Sequence, residues 1–365
     1  MRGNSVCPNV NNAARRDLRT LRSLSPKFRH VGRISATECP TVQIPGEKAF
    51  VTTKTGVSPK KKPKLLSTWD QIVKHLGQYP SPRLSFDSDG EVNNQAWIFR
   101  GVSNSAYPLE PSVERTAKNG HIGWAALEVK VVAEFKSRAR MHIGPTLIPE
   151  DELTWLALMQ HYGIPTRLLD FTLSPFVALY FAVRHGGEKS TPARVWAMDS
   201  EAINGNFLRV TARARIRERE RKKTPGHKVS FHLDDFASER DVLRDDALAM
   251  RRAAEEALQA SGTFRSELNK HGCACMTMPP SFNPRLASQQ GVFLLNCAEK
   301  LTFDQSLEKM MGAKPGWCET FEVAPECFRE VEEALFQSNI HDQSLFPDME
   351  GLAGLIRQKM RLHWT

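Results

Sequence analysis

The stretch that most constrains this chain is residues 160–184, QHYGIPTRLLDFTLSPFVALYFAVR. Within it, residues 176–182 are seven apolar side chains without a polar break. Ser174 and Pro175 stand just before that run and read as an N-cap and a first helical residue. His185, Gly186 and Gly187 follow it, which predicts a cation in the last turn and then a glycine stop. A helix that is apolar on all sides has to be buried, so a core helix is expected here. Arg167, Asp170, Thr172 and Ser174 lead into it on a short turn or strand. Polar groups at the positive end of a buried helix suit an anion or a cofactor. The competing reading is an Arg167–Asp170 pair that merely caps the core.

Composition bounds the rest. The 365 residues are 41% apolar and 25% charged, the profile of a globular chain of one large or two ordinary domains. No run of 18 apolar residues predicts a membrane span, and the first thirty residues lack the apolar core of a secretory signal. The seven cysteines are odd in number and scattered, which suits free thiols in a reducing, cytoplasmic setting. The net charge of +9 is unevenly placed. Residues 1–66 hold fourteen Lys or Arg against three Asp or Glu, so the other 299 residues sum to −2. The basicity therefore argues little for a nucleic-acid-binding core.

Residues 1–66 lack periodicity and read as a disordered basic leader, with SPKKKPKL at 58–65 as a solvated linker or an import-like cluster. Order is expected from Ser67, whose spacing to Asp70 suggests a capping box before Ile72, Val73 and Leu76. Residues 78–95 read as a polar loop. Strands are expected at 97–100, 167–172, 194–199, 291–296 and 319–323, and helices at 125–141, 151–162, 325–337 and from Ser344 to about 360. Arg100 ends the first strand and needs a partner, structural or anionic. Residues 204–270 read as a helical basic insertion, with eight Lys or Arg between Arg209 and Lys223 and a second capping box at 238–241. A solvated insertion and a nucleic-acid arm both fit that segment. His271, Cys273 and Cys275 are metal-ligand types, but no second cluster completes a four-donor site, so no metal is expected.

WIFRG (97–101), YPLEPSVER (107–115), QHYGIPTRLLDFTLSPFVALYFA (160–182), NPRLASQQGVFLL (283–295) and SLFPDMEGLA (344–353) together resemble the FRG domain family, over about 67–362. The order of Arg100, the Asp170-Phe171-Thr172 strand before Ala178–Ala182, and Gln289 is also similar to that of mono-ADP-ribosyltransferases. That resemblance implies an α+β fold, with a mixed sheet flanked by helices and possibly ADP-ribosyltransferase-like, and NAD as substrate with an acceptor still to be found. It implies NAD-binding roles for Arg100, Gly101, Arg167, Thr172 and Ser174, and catalytic roles for Asp170, Gln289 and His161. Asp170 and Phe171 stand where those enzymes have Ser-Thr, and Gln289 stands without their Glu-x-Glu. Two other expectations remain: a nucleic-acid or nucleotide module using residues 1–66 and 209–223, and a scaffold in which Arg100, Arg167 and Asp170 form a structural ion network.

Overall fold

The computed structural model describes residues 62–80, 83–86, 92–95, 97–144, 148–184, 190–223, 247–278, 284–312 and 316–364. The leader up to residue 61, the glycines after the core helix and the capping box at 238–241 lie outside these residues.

Nine strands are described: β1 (Lys64–Leu66), β2 (Arg83–Phe86), β3 (Val92–Gln95), β4 (Trp97–Val102), β5 (Leu168–Thr172), β6 (Ala193–Asp199), β7 (Ala274–Thr277), β8 (Gly291–Asn296) and β9 (Cys318–Val323). Seven of them form one sheet in the order β1-β9-β6-β4-β5-β8-β7. β1 runs parallel to β9 and the other neighbours are antiparallel. The sheet is mixed and the class is α+β. All five expected strands are present. Four others were not read. β2 and β3 form a hairpin inside the expected polar loop, β1 lies in the expected leader, and β7 begins within the His-Gly-Cys-Ala-Cys segment.

The alternation of side chains along β4 and β6 divides the core between two faces. Phe99, Val195 and Ala197 face one apolar cluster, while Ile98, Trp196 and Met198 face the other. The core helix Pro175–Val183 packs in the first cluster. Ser174 caps it by accepting from the Val177 amide at 3.3 Å, with Pro175 in its first turn. Among the helices that pack in the second cluster is one unbroken helix, Ser200–Lys223, that buries Ile203, Phe207, Leu208 and Ala214. Its basic half is not a purely solvated arm. Arg215 is paired with Glu256 and Arg221 donates to Thr263 at 2.8 Å.

Two helix starts are settled by the backbone path. Thr68, not Ser67, accepts from the Gln71 amide, while the Ser67 amide donates to Gln71 Oε1. Of the 344–348 segment expected to cap the last helix, Asp348 caps the helix Met349–Lys359, and Ser344 sits within the short helix Asp342–Leu345. At the first start Ser67 and Thr68 are neighbouring cap types, and only the backbone path selects between them.

Candidate functional site

β4 and β5 are adjacent, yet they share a single residue pair, Phe99↔Thr172. Beyond it the two strands separate, while β4 stays paired to β6 through Val102 and β5 stays paired to β8 through Leu168. A split between neighbouring strands leaves backbone groups that the ladder no longer serves. One of them, the Asp170 carbonyl, accepts from Arg100 Nη1 at 2.6 Å. The Arg100 side chain thus bridges the gap where a strand-to-strand hydrogen bond has been lost.

A cleft of about 460 Å³ opens at this split. Its floor and walls come from β4, β5, the start of β8, one flank of the core helix through Ala178 and Phe181, and the end of the helix Glu152–His161. Arg100, Gly101, His161, Asp170, Thr172 and Gln289 all line it. These residues lie up to 189 positions apart in the chain. Tyr107, Gln160, Phe293 and Arg285 also line the cleft and were not singled out from the sequence. All four lie within the quoted motifs, so the signal was present, but residue type alone did not point to them.

Each side chain has a local reason for its position. Burial draws the Arg100 guanidinium below its ordinary value; Asp170 opposes that and nearby Arg115 reinforces it. The Asp170 side chain is exposed, and its Oδ2 accepts from Gln160 Nε2 at 2.9 Å. Thr172 Oγ1 donates to the Gln289 carbonyl at 2.7 Å and accepts from the Ser174 amide at 3.0 Å. Gln289 donates from Nε2 to the Leu345 carbonyl at 3.1 Å, which ties the cleft to the Ser-Leu-Phe-Pro segment. Gln290 adopts a left-handed φ of 47° between Gln289 and β8. The ring of His161 stacks edge-on against Tyr162.

Arg285 enters from the helix Pro284–Ser288, with its guanidinium 4.3 Å from the Phe346 ring centre. Arg184 also lies over that ring, at 4.7 Å, and is held by Asp342 at 2.8 Å. Phe346 therefore carries two guanidinium groups, one of which belongs to the cleft.

Gly101 has a packing reason rather than a ligand reason. A Cβ there would stand 1.8 Å from the Ala178 carbonyl oxygen and 2.7 Å from the Ala182 nitrogen. The core helix lies directly on the β4 backbone at this point, and only glycine admits it.

Two expected site residues are elsewhere. Ser174 does not line the cleft, and its hydroxyl is spent on its own helix. Arg167 is buried away from the cleft and does not pair with Asp170. Its backbone amide donates to Glu128 Oε1 at 2.7 Å and its Nε donates to Glu128 Oε2. Its guanidinium also stacks on Trp124 at 5.0 Å. Glu128 is a buried residue of the helix Trp124–Ala139, 39 positions from Arg167, so no local spacing marked it as the partner. Arg167 is therefore a structural residue, and the expected network of Arg100, Arg167 and Asp170 does not form.

Cys273, Cys275 and Cys297 are buried free thiols, with β7 and β8 paired beside them. Among the described residues no group of three or more His, Cys, Asp or Glu is placed to hold a metal ion. No described helix is long and apolar enough to cross a membrane.

Residues 95–191 match the family model described as the FRG domain. The match contains β4, β5, the core helix and the split between the strands. No curated protein and no solved structure matches the chain.

Proposed function

The chain carries an FRG domain, and we propose that the cleft at its split sheet binds NAD and transfers the ADP-ribosyl group to an acceptor or to water. The observation that supports this reading is the convergence of Arg100, Asp170, Thr172 and Gln289 on one cleft of about 460 Å³. That volume lies in the usual range for a small-molecule site.

The chemistry follows from the charges. The pyrophosphate is an anion and calls for guanidinium groups, which Arg100 and Arg285 supply. Phe181, Phe293 and Tyr107 give the cleft aromatic surface for a base or the nicotinamide ring. In the reaction the bond between the ribose C1′ and the nicotinamide nitrogen breaks, and its electron pair leaves with nicotinamide. Positive charge builds on the sugar, and the exposed Asp170 carboxylate stabilises it electrostatically. The acceptor oxygen then bonds to C1′ and gives up its proton, for which His161 is the base at the cleft wall. Gln289 offers its amide to the ribose hydroxyls or the acceptor.

The test is nicotinamide release and label transfer with radiolabelled NAD. Water, protein and both DNA and RNA are offered as acceptors. Asp170→Asn is expected to slow turnover by about 10²-fold or more, the scale for loss of one electrostatic stabiliser. Arg100→Ala is expected to weaken NAD binding. A wild-type protein that binds no NAD and releases no nicotinamide with any acceptor would sink the reading.

A further inference from the structure

Resting on that reading of the cleft, we infer that Gln160 is a positioning residue that holds the Asp170 carboxylate toward the reacting sugar. The argument is a chain of hydrogen bonds whose directions are fixed one by one. Gln160 lies in the last turn of the helix Glu152–His161. Gly163, at φ 75°, turns the chain back, and the Ile164 amide closes onto the Met159 carbonyl at 2.9 Å. This reversal brings Thr166 beneath Gln160.

Thr166 is fully buried, and each of its polar atoms is engaged. Its amide donates to Ser112 Oγ at 3.0 Å, and Ser112 Oγ donates back to the Thr166 carbonyl at 3.3 Å. Its hydroxyl oxygen accepts from the Leu168 amide at 3.2 Å, so its proton points the other way, to Gln160 Oε1. A carboxamide has one acceptor end and one donor end. With Oε1 taken by a donor, the NH₂ group must face Asp170. It donates there to Oδ2 at 2.9 Å and to the Leu168 carbonyl at 3.4 Å.

The consequence is an exposed carboxylate with a fixed orientation. An exposed Asp side chain normally samples several rotamers. Asp170 is instead held at its side chain by Gln160 and at its backbone carbonyl by Arg100. Buried Thr166 and half-buried Ser112 carry no charge and do not line the cleft, yet they decide which end of the Gln160 amide meets the carboxylate. Sub-ångström placement is what electrostatic stabilisation at a reacting carbon needs.

The experiment has two arms. In the first, steady-state NAD turnover is measured for Gln160→Ala, Thr166→Val and Thr166→Ser. Thr166→Val keeps the shape but removes the proton that fixes the amide. Gln160→Ala and Thr166→Val are expected to lower kcat about 10–100-fold, with KM changed by no more than about threefold. Thr166→Ser restores the hydroxyl and is expected to recover most of kcat. A purely structural role would move stability and leave the kcat-to-KM split and the serine rescue unexplained. Unchanged kcat in Gln160→Ala and Thr166→Val, with an active wild type, would overturn the inference.

The second arm needs no turnover. The Gln160 side-chain NH₂ signals are followed by nitrogen-15 NMR in the wild type, Asp170→Asn and Thr166→Val. Slow exchange in the wild type that is lost in both variants supports the relay. Identical signals in all three overturn it. If the wild type releases no nicotinamide, the functional reading fails on its own, and this arm still decides whether Gln160 holds Asp170.

Discussion

Replacing Gly101 by alanine adds one carbon atom at the most crowded point between sheet and helix. That carbon would stand 1.8 Å from the Ala178 carbonyl oxygen and 2.9 Å from the Ala178 carbonyl carbon. Ordinary contact needs about 3.5 Å, so the core helix would have to retreat by roughly 1.5 Å. Those atoms are backbone, and no rotamer change removes them. Retreat would loosen Val177, Ala178, Leu179, Tyr180 and Ala182, each of which is 4% exposed or less. Overpacking of a well-filled core costs about 1–3 kcal/mol where it can relax, and here a whole helix must move. We expect Gly101→Ala to lower stability by at least about 3 kcal/mol. Gly205 provides the internal control. It lies inside the helix Ser200–Lys223, and a Cβ there would meet nothing within 4 Å. Gly205→Ala should raise stability by up to about 1 kcal/mol, through helix propensity. Urea denaturation of the two variants and the wild type reads both effects. A Gly101→Ala protein within about 1 kcal/mol of wild type would refute the claim that this glycine exists for helix packing.

Three further outcomes are expected. Burial pushes the Glu114 carboxyl up to about 8, against hydrogen bonds from the Phe303 amide and Asn296, with Glu110 and Asp304 adding to the rise. The folded state therefore keeps a proton that the unfolded chain releases near 4.5. Stability is highest below that value and falls as pH rises toward 8. Glu114→Gln should flatten the fall and raise stability at pH 8, on the order of 3 kcal/mol, as read by chemical denaturation at pH 5 and pH 8. An unchanged slope would contradict the assignment. Arg167→Ala leaves Glu128 buried without its partner and should cost about 3–5 kcal/mol, while Arg167→Met combined with Glu128→Gln should recover much of that; denaturation midpoints decide. Asp170→Asn should leave the melting temperature within a few degrees of wild type, because the side chain is exposed, while it abolishes most NAD turnover.

The strands that carry the fold were legible because burial writes itself into local pattern. Residues 291–296 are an apolar run after a glycine, and 194–199 alternate, so each reads as a strand without its partners. The core helix was the clearest case. Seven apolar residues behind Ser174 and Pro175 leave no other local solution. β7 was not read as a strand: its cysteines were weighed as metal ligands and set aside, while cysteine serves equally as a small buried apolar residue. β1 and the hairpin β2–β3 were missed because three- and four-residue strands carry too little pattern. In the site, Arg100, Asp170, Thr172, His161 and Gln289 were found by residue type near motif ends. Gln160 and Arg285 were missed, because an amide or a second arginine gains its meaning only from what stands across from it.

By itself the sequence determined the core helix, the main strands and the set of polar residues available to a cleft, since each depends on neighbours within a few positions along the chain. It did not determine which of those residues meet. Arg167 and Arg100 looked alike as arginines at strand ends, yet one is sealed against Glu128 and the other bridges the gap between β4 and β5. That choice rests on sheet order and on where two paired strands separate, and the contacts that set it span 39 and 70 positions. No local pattern encodes a separation of that length, so only the tertiary structure could decide which polar groups face the cleft.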